Sequence, residues 1–209
     1  MQRIISNSKV VEALQLPPGF IVHTDNDYFP DFFGAVISCE FDVSHLLSLS
    51  KQRKQALLPY KLADAVIKRQ GDYLAGRYAG GCALDQIGKP VEHIAMHADR
   101  SPVWPDGCRG SITHSGFQAL SVVGLTAQYN YLGIDIEKIF TGKLAKDLSP
   151  QIINSIEKSQ LKTLNKSEEW LLTLVFSAKE RSLVLLLTPL MSRVLIWGRI
   201  VHLNQRWLA

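Results

Sequence analysis

Strand-like and helix-like segments alternate along this chain without the regular strand–helix–strand spacing of a doubly wound sheet. Residues 20–23 and 32–41, which are rich in aromatic and β-branched side chains, predict two strands near the N-terminus. Residues 110–115 and 117–125 predict two more, close enough in sequence to pair as a hairpin around Ser115 and Gly116. The order of segments therefore favours a mixed α+β architecture rather than a parallel α/β sheet.

Helical spacing of apolar residues is clearest over residues 59–84, where Lys68, Arg69 and Arg77 are interleaved with the apolar positions. Asp42 occupies the position of an N-cap for a helix that starts next to it. A segment dense in turn residues, 88–107, separates the long helix from the hairpin. Beyond the hairpin we predict a strand over 131–139, helices over 144–164 and 168–187, and one or two short strands over 193–203.

Length and composition place the chain among globular proteins of one or two modest domains: 209 residues, 46% of them hydrophobic and 20% charged. The longest uncharged stretch near the end, 182–192, is too short to cross a bilayer, and the first nine residues lack the pattern of a secretory signal. We therefore expect a cytoplasmic protein with no membrane span. The three cysteines are far apart, and their spacing indicates neither a disulfide framework nor a zinc ribbon.

Charge is distributed unevenly along the chain. The net charge of +4 favours an anionic partner only weakly. Every acidic residue and every lysine lies at or before Glu180, whereas the last 29 residues carry four arginines and no other formal charge. The C-terminal seventh of the chain thus differs in composition from the rest.

An acidic motif, Gly-Ile-Asp-Ile-Glu, spans residues 133–137. On a strand, Asp135 and Glu137 would share one face, about 6 to 7 Å apart, with the two isoleucines on the other. Carboxylates at that range resist joint ionisation in a partly dry site unless a cation lies between them. Mg²⁺ prefers such oxygen ligands. The motif predicts either a magnesium site or an ordinary acidic strand face in contact with water.

Two further patterns carry chemistry of the same kind. Residues 170–180 predict an apolar helix that ends in Lys179 and Glu180, which is typical of a core helix meeting water but would also bring a third carboxylate to a metal site. The eight-residue step from Arg69 to Arg77 places these arginines about 80° apart around a helix. They form either the wall of a phosphate-binding groove or a solvated helix face.

A histidine at a strand end adds a further polar group. His114, in Ser-Ile-Thr-His, is placed to hydrogen-bond a phosphate. No Gly-x-Ser-x-Gly elbow surrounds the neighbouring serines, so the sequence does not indicate a serine hydrolase.

Four motifs in this order resemble the surfactin/enterobactin type of 4′-phosphopantetheinyl transferase. They are Lys-Arg-Gln-Gly-Asp-Tyr-Leu-Ala-Gly-Arg, the segment 100–114, Gly-Ile-Asp-Ile-Glu, and Phe-Ser-Ala-Lys-Glu. The resemblance covers roughly residues 61–181. It implies transfer of the phosphopantetheine arm of coenzyme A to a serine of an apo carrier protein (an acyl, peptidyl or aryl carrier), with release of 3′,5′-ADP. Siderophore or related non-ribosomal peptide synthesis is the process that the subgroup suggests.

The resemblance also implies an architecture and a set of partners. Two similar α/β halves would be related by a pseudo-twofold axis with coenzyme A between them. Here they would be residues 1–126, with the coenzyme-binding helix and hairpin, and 127–209, with the metal-binding strand and a shortened second half. A monomer that binds coenzyme A and carrier proteins, but not nucleic acid, is expected.

Site residues follow from the resemblance position by position. The implied magnesium ligands are Asp135, Glu137 and Glu180. Contacts to the coenzyme are implied for Arg69, Arg77, Arg100, Thr113, His114 and Lys179, with Lys179 at the pyrophosphate and most of the others at the 3′-phosphate and adenosine end. Lys179 and Glu180 are the implied catalytic residues, and Glu180 or a metal-ordered water would take the proton of the attacking serine.

The chain departs from the family pattern just after Glu180. The pattern has a lysine four residues later, where this chain has Val184. Natural divergence or a shifted reading frame would explain the departure together with the unusual charge of the last 29 residues. It also raises an alternative function, in which a catalytically impaired member binds coenzyme A or a carrier protein without transferring the arm.

Overall fold

The computed structural model describes residues 3–4, 7–29, 32–136 and 138–161. Glu137, Lys179 and Glu180 lie outside these residues, as do the helix predicted over 168–187 and the strands predicted over 193–203. The chain divides into two compact units, residues 1–136 and 137–209. The strands are β1 (Arg3–Ile4), β2 (Ile21–Asp27), β3 (Gly34–Phe41), β4 (Cys108–Ser115) and β5 (Gln118–Leu125). The helices are α1 (Ser8–Ala13), α2 (Ser44–Leu47), α3 (Lys51–Leu57), α4 (Tyr60–Ala63), α5 (Ile67–Gln86), α6 (Gly142–Ile152) and α7 (Ser155–Leu161).

The first unit contains an antiparallel sheet with the strand order β1-β2-β3-β5-β4. The sheet and the helices around it confirm the predicted mixed α/β class. The predicted hairpin is also confirmed, because β4 and β5 pair through Ser115 and Gln118 across a two-residue loop. Gly116 in that loop has a φ of 58°, the left-handed conformation that tight hairpin turns require.

Helix α5 is the central helix of the first unit and packs on β3, β4 and β5. All of its residues from Gln70 to Leu84 are buried. The thiol of Cys39 donates to the carbonyl of Ala75 at 3.6 Å, so the helix backbone comes very close to the sheet. Small side chains permit this approach: a Cβ at Gly76 would meet Ile112 at 2.7 Å.

The strand register assigns neighbouring residues of β4 to opposite faces of the sheet. Directly paired residues share a face. Thr24, Cys39, Ala119 and His114 form one row of partners, on the face that packs against α5. Asp25, Ser38, Leu120 and Thr113 form the next row, on the opposite face. His114 and Thr113 are therefore adjacent in sequence but separated by the sheet.

Gly110 on β4 provides a test of this packing. A Cβ there would lie 2.6 Å from the Trp104 ring and 2.7 Å from the backbone carbonyl of Val122, and the paired strand cannot move away. We expect Gly110→Ala to lower the free energy of unfolding by about 1–3 kcal/mol, measured by urea denaturation. Gly133→Ala is the matched control, because no described atom lies within 4 Å of its new Cβ. Equal stability of the two variants would contradict this account of the β4 packing.

The helix predicted over residues 59–84 is two helices in the structure. α4 ends at Ala63, and α5 begins at Ile67 after an extended Val66. The side-chain amide of Gln70 donates to the carbonyls of Ala63 and Ala65, both at 2.9 Å, and so satisfies the backbone at the break. The spacing of apolar residues continues across the break, which is why the prediction of one helix was wrong.

Helix α2 has its N-cap one residue later than predicted. Its N-cap position is Val43, whose side chain makes no capping bond. Asp42 acts from one position earlier: its carboxylate accepts from the backbone N–H of Ser44 at 2.8 Å. The segment 88–107 is irregular, as predicted, with a single bridge between Met96 and Pro102.

The second unit begins with a helix pair where one helix was predicted over 144–164. α6 ends at Ile152, and Asn154 starts α7 by accepting from the backbone N–H groups of Ile156 and Glu157. Glu157 accepts in turn from the Asn154 N–H at 2.9 Å, which completes a reciprocal cap. A prediction of one continuous helix was therefore wrong at Asn154. Phe140, Ala145, Leu148, Ile152 and Ile153 form a small apolar cluster in this unit.

Residues 131–136 form no strand in the structure, contrary to the prediction for 131–139. Ile134 is nonetheless buried, with 2% of its surface exposed, and Asp135 is half-buried. The alternation of apolar and polar residues therefore predicted the burial of Ile134 correctly, although the described residues of this segment pair with no strand. Within those residues, no helix combines the length and the apolar character needed to cross a membrane.

Candidate anion and metal site

His114 lies among charged side chains from helix α5. Its Nε2 atom is 3.3 Å from Nη1 of Arg69, and its Nδ1 atom is 3.6 Å from Oδ2 of Asp72. The other oxygen of Asp72 pairs with the ammonium group of Lys68, one helical turn earlier. The structure therefore joins Arg69 and His114, two residues predicted to bind the same phosphate, although 45 positions separate them in the sequence.

Burial lowers the pKa of His114 below its usual value. The negative charge of Asp72 opposes this shift, whereas the positive charges of Lys68 and Arg69 add to it. Without a ligand these surroundings together favour the neutral imidazole. An anion bound beside Arg69 would reverse the balance and favour the imidazolium form.

Arg77 is buried in the middle of α5, with 5% of its surface exposed. Its Nη2 donates to the carbonyl of Ala95 at 3.3 Å, and its guanidinium lies over the Tyr73 ring, 4.6 Å from the ring centre. The Nε–H has no hydrogen-bond partner among the described residues, and no carboxylate of that part of the chain pairs with this arginine. Burial lowers the pKa of Arg77, and the charge of Arg69 adds to that effect.

Arg77 also borders the loop that carries Arg100. The carbonyl of Ala95 accepts from both Arg77 and the N–H of Val103, so the arginine is attached to the base of this loop. Arg100 is exposed at the far end, in a turn where the N–H of His97 donates to Ser101, and its φ is 75°. Burial lowers the pKa of His93, on the same segment, and the charge of Arg77 lowers it further.

Thr113 contacts a different predicted site residue. Its hydroxyl donates to Oδ1 of Asp135 at 2.8 Å, on the face of the sheet that is opposite to His114. The threonine side chain thus belongs with the predicted metal ligand rather than with the arginine–histidine pair. Thr113 is buried, and the bond fixes one carboxylate oxygen of Asp135.

Asp135 fits the role of a magnesium ligand in its chemistry: it is a half-buried carboxylate whose Oδ1 is held by a hydroxyl donor. It is the one predicted metal ligand within the described residues. In that part of the chain no three histidine, cysteine or acidic side chains cluster as a metal site. Lys179, Glu137 and Glu180 lie outside it.

Asp72 is a neighbour of the predicted site residues that the sequence did not indicate. It is 6% exposed and lies between Lys68 and His114. Its position four residues after Lys68, on the same helical face, was the available signal.

Comparison with known proteins gives a consistent result. Residues 54–124 match the family model described as the 4′-phosphopantetheinyl transferase N-terminal domain. This segment contains α5, β4, all of β5 except its last residue, and the arginine–histidine pair. Enterobactin synthase component D of Salmonella typhi is 40% identical over 121 residues, which are 57% of this chain and 49% of the relative.

Two further relatives support the same resemblance. The Escherichia coli K12 enterobactin synthase component D is 41% identical over 121 residues, 57% of this chain and 56% of the relative. The 4′-phosphopantetheinyl transferase PptT of Mycobacterium tuberculosis is 37% identical over 76 residues, 36% of this chain and 34% of the relative. The chain spans about half the length of the enterobactin synthase relatives it matches.

Proposed function

We infer that this chain, whose predicted resemblance to enterobactin-type 4′-phosphopantetheinyl transferases is confirmed by these matches, carries the same activity. It transfers the 4′-phosphopantetheine arm of coenzyme A to a serine of an apo carrier protein and releases 3′,5′-ADP. The relatives bear transferase or synthase names, and none of the comparisons favours the alternative of a coenzyme-binding module without activity. The carriers of a siderophore synthetase are the proposed partners.

The buried guanidinium of Arg77 is the observation that carries this proposal. A cation removed from water loses hydration energy. Among the described residues, no carboxylate pairs with Arg77 to offset that loss. Arg69 and His114 add two groups suited to binding phosphate. The positive charge of Arg69 lowers the pKa of both Arg77 and His114. Such a positive, partly dry region is matched to an anion with several oxygens, such as the 3′-phosphate of coenzyme A.

The second part of the proposal concerns magnesium. Asp135, Glu137 and Glu180 would hold Mg²⁺, an ion that neutralises charge on the pyrophosphate during phosphoryl transfer when it is bound. Lys179 would bind the pyrophosphate and Glu180 would take the proton from the carrier serine. Arg100, exposed on its loop, would contact the coenzyme from outside. The pseudo-twofold relation of two halves remains part of this proposal.

The activity is tested with the intact mass of a carrier protein. The purified chain is incubated with coenzyme A, Mg²⁺ and an apo carrier domain. We expect the carrier to gain the mass of phosphopantetheine, and we expect no gain when the carrier serine is replaced by alanine or when Mg²⁺ is chelated. A carrier of unchanged mass, under conditions in which calorimetry shows coenzyme binding, would contradict the proposed activity.

Thr113→Val tests the link between the sheet and the metal ligand. Valine keeps the shape of threonine but cannot donate to Asp135, so the carboxylate loses one orienting bond. We expect the Mg²⁺ concentration that gives half-maximal transfer to rise by about tenfold, as for other groups that orient metal ligands.

Ser111→Ala is the control for Thr113→Val, since Ser111 is the next residue on the same face of β4 and pairs with Val122. It should leave the magnesium dependence unchanged. A Thr113→Val variant with the same magnesium dependence, but a raised Kd for coenzyme A, would place the hydroxyl at the phosphate instead.

A further inference from the structure

The carboxylate of Asp72 has no role in the function proposed above, yet it lies beside the predicted phosphate site. It is buried on the first turns of α5, and one oxygen pairs with Lys68. The other faces Nδ1 of His114, which arrives from β4. A buried anion next to a phosphate-binding group repels the phosphate, so its position there suggests that it has another role. The pairing with Lys68 offsets that repulsion.

The contacts of His114 determine which ring nitrogen carries the proton. Arginine can only donate hydrogen bonds, so Nε2, which is 3.3 Å from Arg69, has to be the acceptor. The neutral ring therefore carries its proton on Nδ1, and Nδ1 is the atom that faces Asp72. The partner of one ring nitrogen sets which nitrogen carries the proton, and here the contacts with Arg69 and Asp72 both favour a proton on Nδ1.

We propose that Asp72 is a positioning residue for coenzyme binding: it holds the His114 ring with Nδ1–H toward the carboxylate and Nε2 toward the 3′-phosphate, and it stabilises the imidazolium formed when that phosphate binds. The proton on Nε2 is taken from solvent as the phosphate enters, and it is returned when the ligand leaves. Lys68 keeps the local charge balanced. This inference rests on the proposed function, because it assigns the phosphate to coenzyme A.

The test separates positioning from net charge. Asp72→Asn alone would remove a negative charge near the phosphate and so favour binding. That gain would mask the loss of affinity expected from the lost positioning of His114. The double variant Lys68→Met/Asp72→Asn keeps the net charge of the natural pair. Lys68→Met alone is its control, because it leaves Asp72 facing His114.

Calorimetry of coenzyme A and of 3′-dephospho-coenzyme A gives the required readout. We expect the Kd for coenzyme A to rise about tenfold in the double variant, because the His114 ring loses the carboxylate that orients it and stabilises its charged form. The Kd for 3′-dephospho-coenzyme A should stay unchanged, as a general loss of structure would not allow. An unaltered preference for coenzyme A over its dephospho form would overturn the proposal.

A second measurement reads the protonation of His114 in the natural protein. ¹⁵N NMR of the ring nitrogens in the ligand-free natural protein should show His114 protonated at Nδ1, and the signal is assigned by its disappearance in His114→Gln. A ring protonated at Nε2 would contradict the role of Asp72. Should the natural protein fail to prefer coenzyme A over the dephospho form, the placement of the phosphate fails as well. If that preference and carrier modification are intact while the variant matches the natural protein, only Asp72 is misassigned.

Discussion

Replacing Asp135 by alanine is expected to reduce magnesium-dependent transfer to a carrier protein by two to three orders of magnitude, about the effect of removing one key electrostatic group from an active site. Of the three predicted metal ligands, Asp135 is the one that lies within the described residues. Its Oδ1 accepts a hydrogen bond from the hydroxyl of Thr113. Loss of the carboxylate removes both the oxygen ligand and the group that Thr113 orients. The rate is measured by carrier mass at saturating coenzyme A, with Mg²⁺ varied.

The fold should tolerate Asp135→Ala. Asp135 is half-buried and lies in no described strand, and its bond from Thr113, a hydrogen bond to a charged group, is worth about 1.5–3 kcal/mol. Asp106→Ala, at an exposed position of the same unit, is the matched control and should transfer at the natural rate. Unchanged turnover in Asp135→Ala, with a normal thermal transition, would refute the metal assignment.

The second large effect concerns Arg77. We expect Arg77→Met to raise the Kd for coenzyme A by about a hundredfold, because a buried charged donor is removed from its anionic partner. The same variant should unfold at an equal or higher temperature. A buried guanidinium that no described carboxylate pairs with costs free energy in the ligand-free protein, and methionine fills much of the same volume without that cost.

Opposite signs for binding and stability make the Arg77 prediction specific. The carbonyl of Ala95 keeps its bond from Val103 when the arginine is removed, so the base of the loop stays satisfied. Arg109→Met, an exposed arginine on β4, is the control and should change neither quantity measurably. A large loss of stability in Arg77→Met would show instead that this arginine is a structural residue.

Local patterns accounted for much of the fold. The hairpin of β4 and β5 was predictable because its turn chemistry and strand alternation lie within one short segment. The break before α5 was not, since it depends on a side chain, Gln70, that satisfies carbonyls outside its own helix. The predicted strand at 131–139 failed for a related reason: alternation indicates which side chains are buried, but strand pairing requires a partner segment.

In the site, too, local patterns predicted some features, whereas contacts between distant segments determined the others. Motif order predicts Arg69 and His114 at one phosphate site, and the packing of α5 on the sheet brings their side chains within 3.3 Å of each other. Strand alternation alone would have separated Thr113 from His114, and the contact of Thr113 with Asp135 shows the result. Asp72 could not be predicted because an acidic residue in a basic stretch of a helix normally forms an ion pair in contact with water. Its burial is evident only in the structure.

The central claim is group transfer rather than coenzyme binding, and the most direct measurement follows both products of one reaction. Carrier mass and released 3′,5′-ADP are quantified in the same sample after incubation with coenzyme A and Mg²⁺. The proposed function predicts that one molecule of 3′,5′-ADP appears for each carrier serine that gains phosphopantetheine. Coenzyme A that binds and is recovered intact, with an unmodified carrier, would contradict it.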